Sequence, residues 1–593
     1  MAQDSRRKSI SIYIDNSFSM GAEGKEGELL LTAKEKGREV IKNFKERDRF
    51  QVLTNDFEGR HQHLVSKEEA MQLIDEIKMS AANKTVKSVM ARQAQALERN
   101  REDQKLAFIV SDFQKMNANV GFNDSSVSTV LIPLTANKQR NLAIDSCWFE
   151  SPFVQHNSVN KFKVLIRNYS DEAIENASVN LKINGKQKAV GGFNVAPRAT
   201  GEAELAFTVN EYGWQAGELS IVDHPITFDD HFYFGFEVAR ALNVYTINGG
   251  VSNTFITDVF ATDEYFKMEQ SSQRAIDYNK MKQANLLILD GITDYSSGLQ
   301  LELEKYIERG GDVFINPSTD ELANASANGF LAKYGVGFGP LTKVLIAADK
   351  VNMQSYIFKG AFEKLNQQTD FPMVNQYYQL KVGAQKAIEP LITMHNNDFL
   401  SVVTHTGKGN IYLSAVPFER AWSTFQHHAL FVPFMYKMAM ATQKTGSIFN
   451  RIGADKLVYV GKEIEAGQKG VKMQKDGYEL MPDISHKNGI TSLFVADMIK
   501  EAGNYRLLVD AAQAQNNPVI AFNYTSGEGN LECLEAEGLE KLAGKNIKVF
   551  SKQEKMIAAG LGELSLGTQF WRACLWLALL FILAEILLIK FWK

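Results

Sequence analysis

The stretch Ile10-Ser11-Ile12-Tyr13-Ile14 runs without a break into Asp15-Asn16-Ser17-Phe18-Ser19-Met20. Isoleucine at every second position predicts a buried β-strand. Asp15, Ser17 and Ser19 then fall on a single turn at the carboxyl end of that strand. In open α/β sheets ligands bind at that end. One carboxylate and two hydroxyls suit a hard divalent cation, Mg²⁺ or Mn²⁺, rather than zinc. The serines are neutral, so a bound ion keeps positive charge and can take an acidic ligand from outside.

At 593 residues the chain exceeds one hydrophobic core, and roughly three to five domains are expected. The net charge of −4 gives no electrostatic argument for nucleic acid. Cys147, Cys533 and Cys574 are far apart, so neither a disulfide framework nor a Cys/His metal spacing is implied. Ala573 to Ile589 is almost continuously apolar, broken only by Glu585. Phe570, Trp571, Phe591 and Trp592 flank it like an interfacial belt, with Arg572 and Lys590 as brackets. This pattern predicts a transmembrane helix over 571–592, preceded by a Gly-containing linker over 551–570. Lys590 and Lys593 beyond the span favour a cytoplasmic far end, which sets the bulk of the chain outside the cytoplasm.

Residues 1–138 alternate strand and helix patterns, which predicts a mostly parallel sheet. A helix is expected over Glu28–Phe44, and Ser66 with Glu69 reads as a capping box. Leu106–Val110 is a buried strand that ends in Ser111-Asp112. Residues 139–240 change to short strands with turn signals between them, as in a β-sandwich. There Asp223, His224, Asp229, Asp230 and His231 cluster, though Asp is common in strand-end turns. Residues 241–444 return to α/β, with strands at Ala241–Ile247, Asn285–Asp290 and Asp312–Asn316. Adjacent His427 and His428 point different ways on a helix and do not share one ion easily. Residues 445–550 form a small β-rich module, with a short helix over Glu535–Leu542.

Asp-x-Ser-x-Ser after an apolar strand resembles the metal-ion-dependent adhesion site of von Willebrand factor A domains. That family adds a Thr before a later helix and an Asp after a later strand. The resemblance implies Thr85 or Ser88 for the first and Asp112 for the second, giving a metal set of Asp15, Ser17, Ser19, Thr85 and Asp112. Residues 139–240 look like an immunoglobulin-like module. Residues 241–444 resemble the class I glutamine-amidotransferase-like fold, but hold no Cys nucleophile and no Gly-x-Ser-x-Gly elbow. The order of modules, with Ala415–Trp422 and Leu430–Pro433, is similar to Bacteroidetes aerotolerance-type (BatA) membrane proteins. Such relatives usually begin with two further membrane helices, and the resemblance implies a bulk that is periplasmic in a Gram-negative cell.

The expected fold is therefore multidomain α/β and β: a Rossmann-like von Willebrand A domain, a sandwich, an amidotransferase-like domain, a small β module and a terminal span. The expected function is a membrane-anchored, Mg²⁺- or Mn²⁺-dependent protein–protein interaction protein rather than an enzyme. Its partner would offer an acidic residue to the metal; the resemblance adds other A-domain membrane proteins and a MoxR-type ATPase. The alternative is a cell-envelope hydrolase or amidotransferase acting through residues 241–444.

Overall fold

The computed structural model describes residues 7–98, 104–118, 127–137, 139–151, 154–224, 226–358, 371–383, 388–407, 409–443, 447–460, 471–487, 490–495, 498–508, 517–530, 532–542, 546–550 and 570–591. The expected linker over 551–570 lies outside them but for its last residue.

Strand β1 (Lys8–Ile14) pairs in parallel with β2 (Arg49–Leu53) on one side and β3 (Gln104–Ser111) on the other. β3 pairs in parallel with β4 (Ser128–Pro133). Parallel neighbours need crossovers, and helices α1 (Leu29–Lys42), α2 (Lys67–Glu76) and α3 (Val86–Leu97) lie in the connections. Strand periodicity divides β1 between two cores. Ile10, Ile12 and Ile14 join Leu30, Val40, Phe50 and Phe108, whereas Tyr13 joins Leu53, Val89 and Ile109 on the other face.

The outer edge of β4 is covered by β5 (Ile547–Val549), which arrives from the far end of the chain and pairs in parallel at Ile547↔Thr129 and Val549↔Leu131. The helix before it, α4 (Ala536–Leu542), buries Leu539 beside Tyr13, Leu53, Val86 and Phe113. The sheet order is thus β5-β4-β3-β1-β2.

This arrangement corrects the expected fold class. Among the described residues strand outweighs helix, 42% to 25%, and no Rossmann-like von Willebrand A pattern is formed. The physical reason lies at β4: its open edge is satisfied by a strand from beyond residue 540, so the first sheet is not closed within residues 1–138.

Residues 142–238 form two packed antiparallel sheets of four and three strands. Phe162, Phe207, Phe234 and Phe236 fill the space between them. The next unit is a nine-stranded mixed sheet. Five of its strands run in parallel: Phe266–Ser272, Leu242–Asn248, Leu286–Asp290, Asp312–Asn316 and Asn410–Ser414. The other four are antiparallel. Leu286–Asp290 is buried along its whole length, as a strand covered on both faces must be. Residues 450–523 supply sheets of five and three strands.

The last helix runs Phe570–Phe591. Among the described residues no helix is long and apolar enough to cross a membrane. The expected span over 571–592 is corrected accordingly. The membrane anchoring and periplasmic placement that rested on it fall with it.

Candidate functional site

The turn after β1 is built from three strand ends. Asp15 leaves the sheet still paired, its N–H donating to Val110 O at 2.9 Å. Its Oδ1 accepts from Ser17 N at 3.0 Å, Ser17 Oγ at 2.7 Å and Asn55 Nδ2 at 2.8 Å. Its Oδ2 accepts from Ser111 Oγ at 2.6 Å. Ser17 Oγ and Ser19 Oγ lie 3.1 Å apart. Asp112 follows β3 as Asp15 follows β1, and the Ser19 hydroxyl reaches its carboxyl. All four predicted residues on these two strand ends are buried.

Two carboxylates in one dry cluster repel. Burial first, and then the charge of Asp15, push the Asp112 carboxyl up to about 7. Asp112 Oδ2 is buried without a hydrogen-bond partner. The next residue, Phe113, sits at φ 51°, a left-handed conformation that costs a bulky residue on the order of 1–3 kcal/mol. Its N–H is held by Ser111 Oγ at 3.0 Å.

Thr85 stands at the N-cap of α3. It is exposed, and its Oγ1 caps α3 by accepting from Ser88 N at 3.3 Å. Ser88 turns its own hydroxyl back to Thr85 O at 2.7 Å. The residues that close the cluster instead are Asn55 and Ser111. Asn55 Oδ1 accepts from Tyr13 Oη at 2.7 Å and Lys84 N at 3.1 Å, so it ties the 82–85 loop to Asp15 indirectly. Its place in the sequence, two residues after the strand end Leu53, is an ordinary one for a turn asparagine.

Among the described residues, no group of three or more His, Cys, Asp or Glu gathers that could hold a metal. This corrects the expectation of a ready-made metal-ion-dependent adhesion site. The set has two acids only, its Thr is elsewhere, and its hydroxyls are bonded to its carboxylates and to one another.

The cluster is also covered. The Phe18 ring stacks on Phe228 at 4.7 Å and meets Tyr524 edge-on at 4.5 Å. The Cys533 thiol reaches the Asp112 carboxyl, and burial followed by that contact pushes its pKa up. Beside the cover, Asn16, Phe18, Asp56, Lys78, Lys500 and Tyr524 line a cleft of about 770 Å³.

The other candidate clusters have structural duties. Asp223 Oδ2 accepts from Leu142 N at 2.5 Å, and Asp229 Oδ2 from Asn141 Nδ2 at 3.1 Å. Asn141 Nδ2 also reaches Gly529 O at 2.9 Å. A Cβ on Gly529 would lie 2.5 Å from both Asn141 and Asp229, so only glycine fits there. Burial pushes Asp229 up to about 7 and Asp230 to about 6. His231 pairs with Glu218 on the surface. The His427 ring packs against Phe255, and His428 Nδ1 accepts from Leu430 N at 3.1 Å.

In the nine-stranded sheet, Asn248, Asp290 and Asn316 end three adjacent parallel strands. Asn316 Nδ2 donates to Asp290 Oδ1 at 2.6 Å, and burial raises Asp290 to about 6. The crevice expected between the first two of these ends is filled by backbone, since a Cβ on Gly249 would lie 1.8 Å from Gly291 O.

No protein family matches the chain, and no curated protein matches it. Solved structures give partial likenesses. The CARDB domain of a Pyrococcus furiosus protein, solved with di-metal ions, is 14% identical over 18% of this chain and 98% of that one, at TM-score 0.16. PurLQS from Thermotoga maritima is 13% identical over 34% of this chain and 97% of that one, at TM-score 0.22. A cold-adapted β-galactosidase from Rahnella sp. R3 is 9% identical over 35% and 32%, at TM-score 0.25. Likenesses of this size carry no functional weight.

Proposed function

We propose that this chain is an interaction protein in which Asp15, Ser17, Ser19 and Asp112 take up a divalent cation, Mg²⁺ or Mn²⁺, and through it an acidic residue of a protein partner. The observation that supports this is the pair of buried carboxylates with one orphaned oxygen, Asp112 Oδ2. Such a pair needs positive charge, and a proton relieves the repulsion of one member only. A hard dication would neutralise both carboxylates and suits a donor set made of oxygen alone. An incoming carboxylate would then bind as one more oxygen ligand at an open coordination position.

The test is calorimetric titration of the full chain with MgCl₂ and MnCl₂ near pH 6.5. Binding is expected to release protons, because Asp112 must ionise as the ion enters. Asp15→Ala and Asp112→Ala are expected to abolish both the heat and the proton release. Unchanged heats in both variants, or no binding in the unaltered chain at millimolar ion, would overturn the reading.

A further inference from the structure

We propose that Glu532, Cys533 and Leu534 act as an internal ligand of the Asp15–Asp112 turn, and that a protein partner docks by replacing them with an extended acidic segment of its own. The inference rests on the interaction reading above and names the chemistry of the partner.

These residues run alongside the chain that leaves Asp112. Cys533 and Gln114 form an antiparallel bridge. Leu534 N donates to Phe113 O at 2.9 Å, and Lys115 N donates to Glu532 O at 2.8 Å. Gln114 Nε2 adds a bond to Asn530 O at 3.2 Å. The segment therefore docks chiefly through backbone, as an added strand does, with few demands on its side chains. One demand is electrostatic: the Glu532 carboxylate meets Lys115 at 3.2 Å and Arg198 at 3.1 Å. The other is positional, because the residue after the acid must set its side chain on Asp112, where Cys533 now sits.

The same contacts show that the segment can be exchanged. Glu532 and Lys115 are both about half exposed, 41% and 58% by side chain, and solvent screens such an ion pair. The flanks hold firmly: Val519–Asn523 is a fully buried strand before it, and α4 buries Leu539 after it. Release of the middle would leave both anchors in place. The tether then sets a high effective concentration, and a partner must offer a better acid or a better strand to win.

The experiment uses the full chain with Cys574→Ser, which leaves half-buried Cys533 and buried Cys147 as its thiols. Iodoacetamide modification of Cys533 is timed, and binding of a fluorescein-labelled peptide of residues 529–536 is measured by anisotropy. Glu532→Ala with Leu534→Ala is expected to bind the peptide at least tenfold more tightly than the parent, and Glu532→Ala alone to speed alkylation at least tenfold. Lys115→Ala breaks the ion pair from the other side and is expected to speed alkylation too. It decides the matter should the double variant fail to fold. Alkylation and peptide binding unchanged from the parent would overturn the proposal. If the peptide and alkylation results hold but Asp15→Ala leaves the Mn²⁺ titration unaltered, the cation reading fails and the internal ligand stands.

Discussion

Asp229 carries a proton well above the ordinary carboxylate range, held up by burial beside Asn141 and only partly offset by that hydrogen bond. Its pKa is raised on folding, from 3.8 to about 7. Between those values the folded chain binds a proton that the unfolded chain has lost. The contribution of Asp229 to stability is therefore greatest below about pH 4, falls as pH rises, and levels off above about 7, with a span of up to about 4 kcal/mol. Asp229→Asn is expected to flatten this part of the profile while keeping an acceptor for Asn141. Urea midpoints at pH 5, 6, 7 and 8 check it, and parallel profiles for the two proteins would contradict it. The candidate site was partly legible at this scale. Alternating isoleucines flagged the strand that delivers Asp15, and an apolar run before Ser111-Asp112 flagged the other acid. Thr85 caps α3, the first duty of a hydroxyl before a helix. Asn55 was silent because an asparagine after a strand is common for turn reasons alone. Cys533 lies too far along the chain for any spacing rule to reach Asp112.

At the scale of elements, α4 packs on the first sheet through Leu539, fully buried, and Leu542, partly buried. Leu539→Ala removes a fully buried leucine from the cluster of Tyr13, Leu53, Val86 and Phe113. A loss of about 2–5 kcal/mol in the stability of that unit is expected. It should appear as faster hydrogen exchange in β4, whose outer neighbour α4 positions, with the strands of residues 242–316 unaffected. Protection in β4 equal to that of the parent would count against the assignment. Long elements with strong periodicity, such as β1 and Leu286–Asp290, could be read from the sequence. β5 could not: three residues show no period, and nothing in Ile547-Lys548-Val549 names a partner near residue 130. The terminal apolar run shows the converse, since hydropathy read along a string does not establish a span.

Across the whole molecule the units are interlocked. Gly235 of the sandwich donates to Ile448 O at 2.8 Å, and a Cβ there would lie 2.4 Å from Val519 O. Asn523 exchanges two hydrogen bonds with the Tyr233 backbone, at 2.7 and 2.8 Å. Phe18, Phe228 and Tyr524 bring three parts of the chain to one point. A fragment of residues 1–138 is accordingly expected to lack a cooperative thermal transition, and to gain one when residues 532–550 are joined to it through a flexible linker. A sharp transition in the fragment alone would refute this. The pairing of β4 with β5 also has a consequence during synthesis. The ribosome must add roughly 400 residues after β4 before its neighbour exists, which at ~5–20 residues per second takes about 20–80 s. For that time a nascent strand shows an unpaired edge, the kind of surface on which chains aggregate. Delayed closure makes the growing polypeptide a client for whatever shields such edges in the cell.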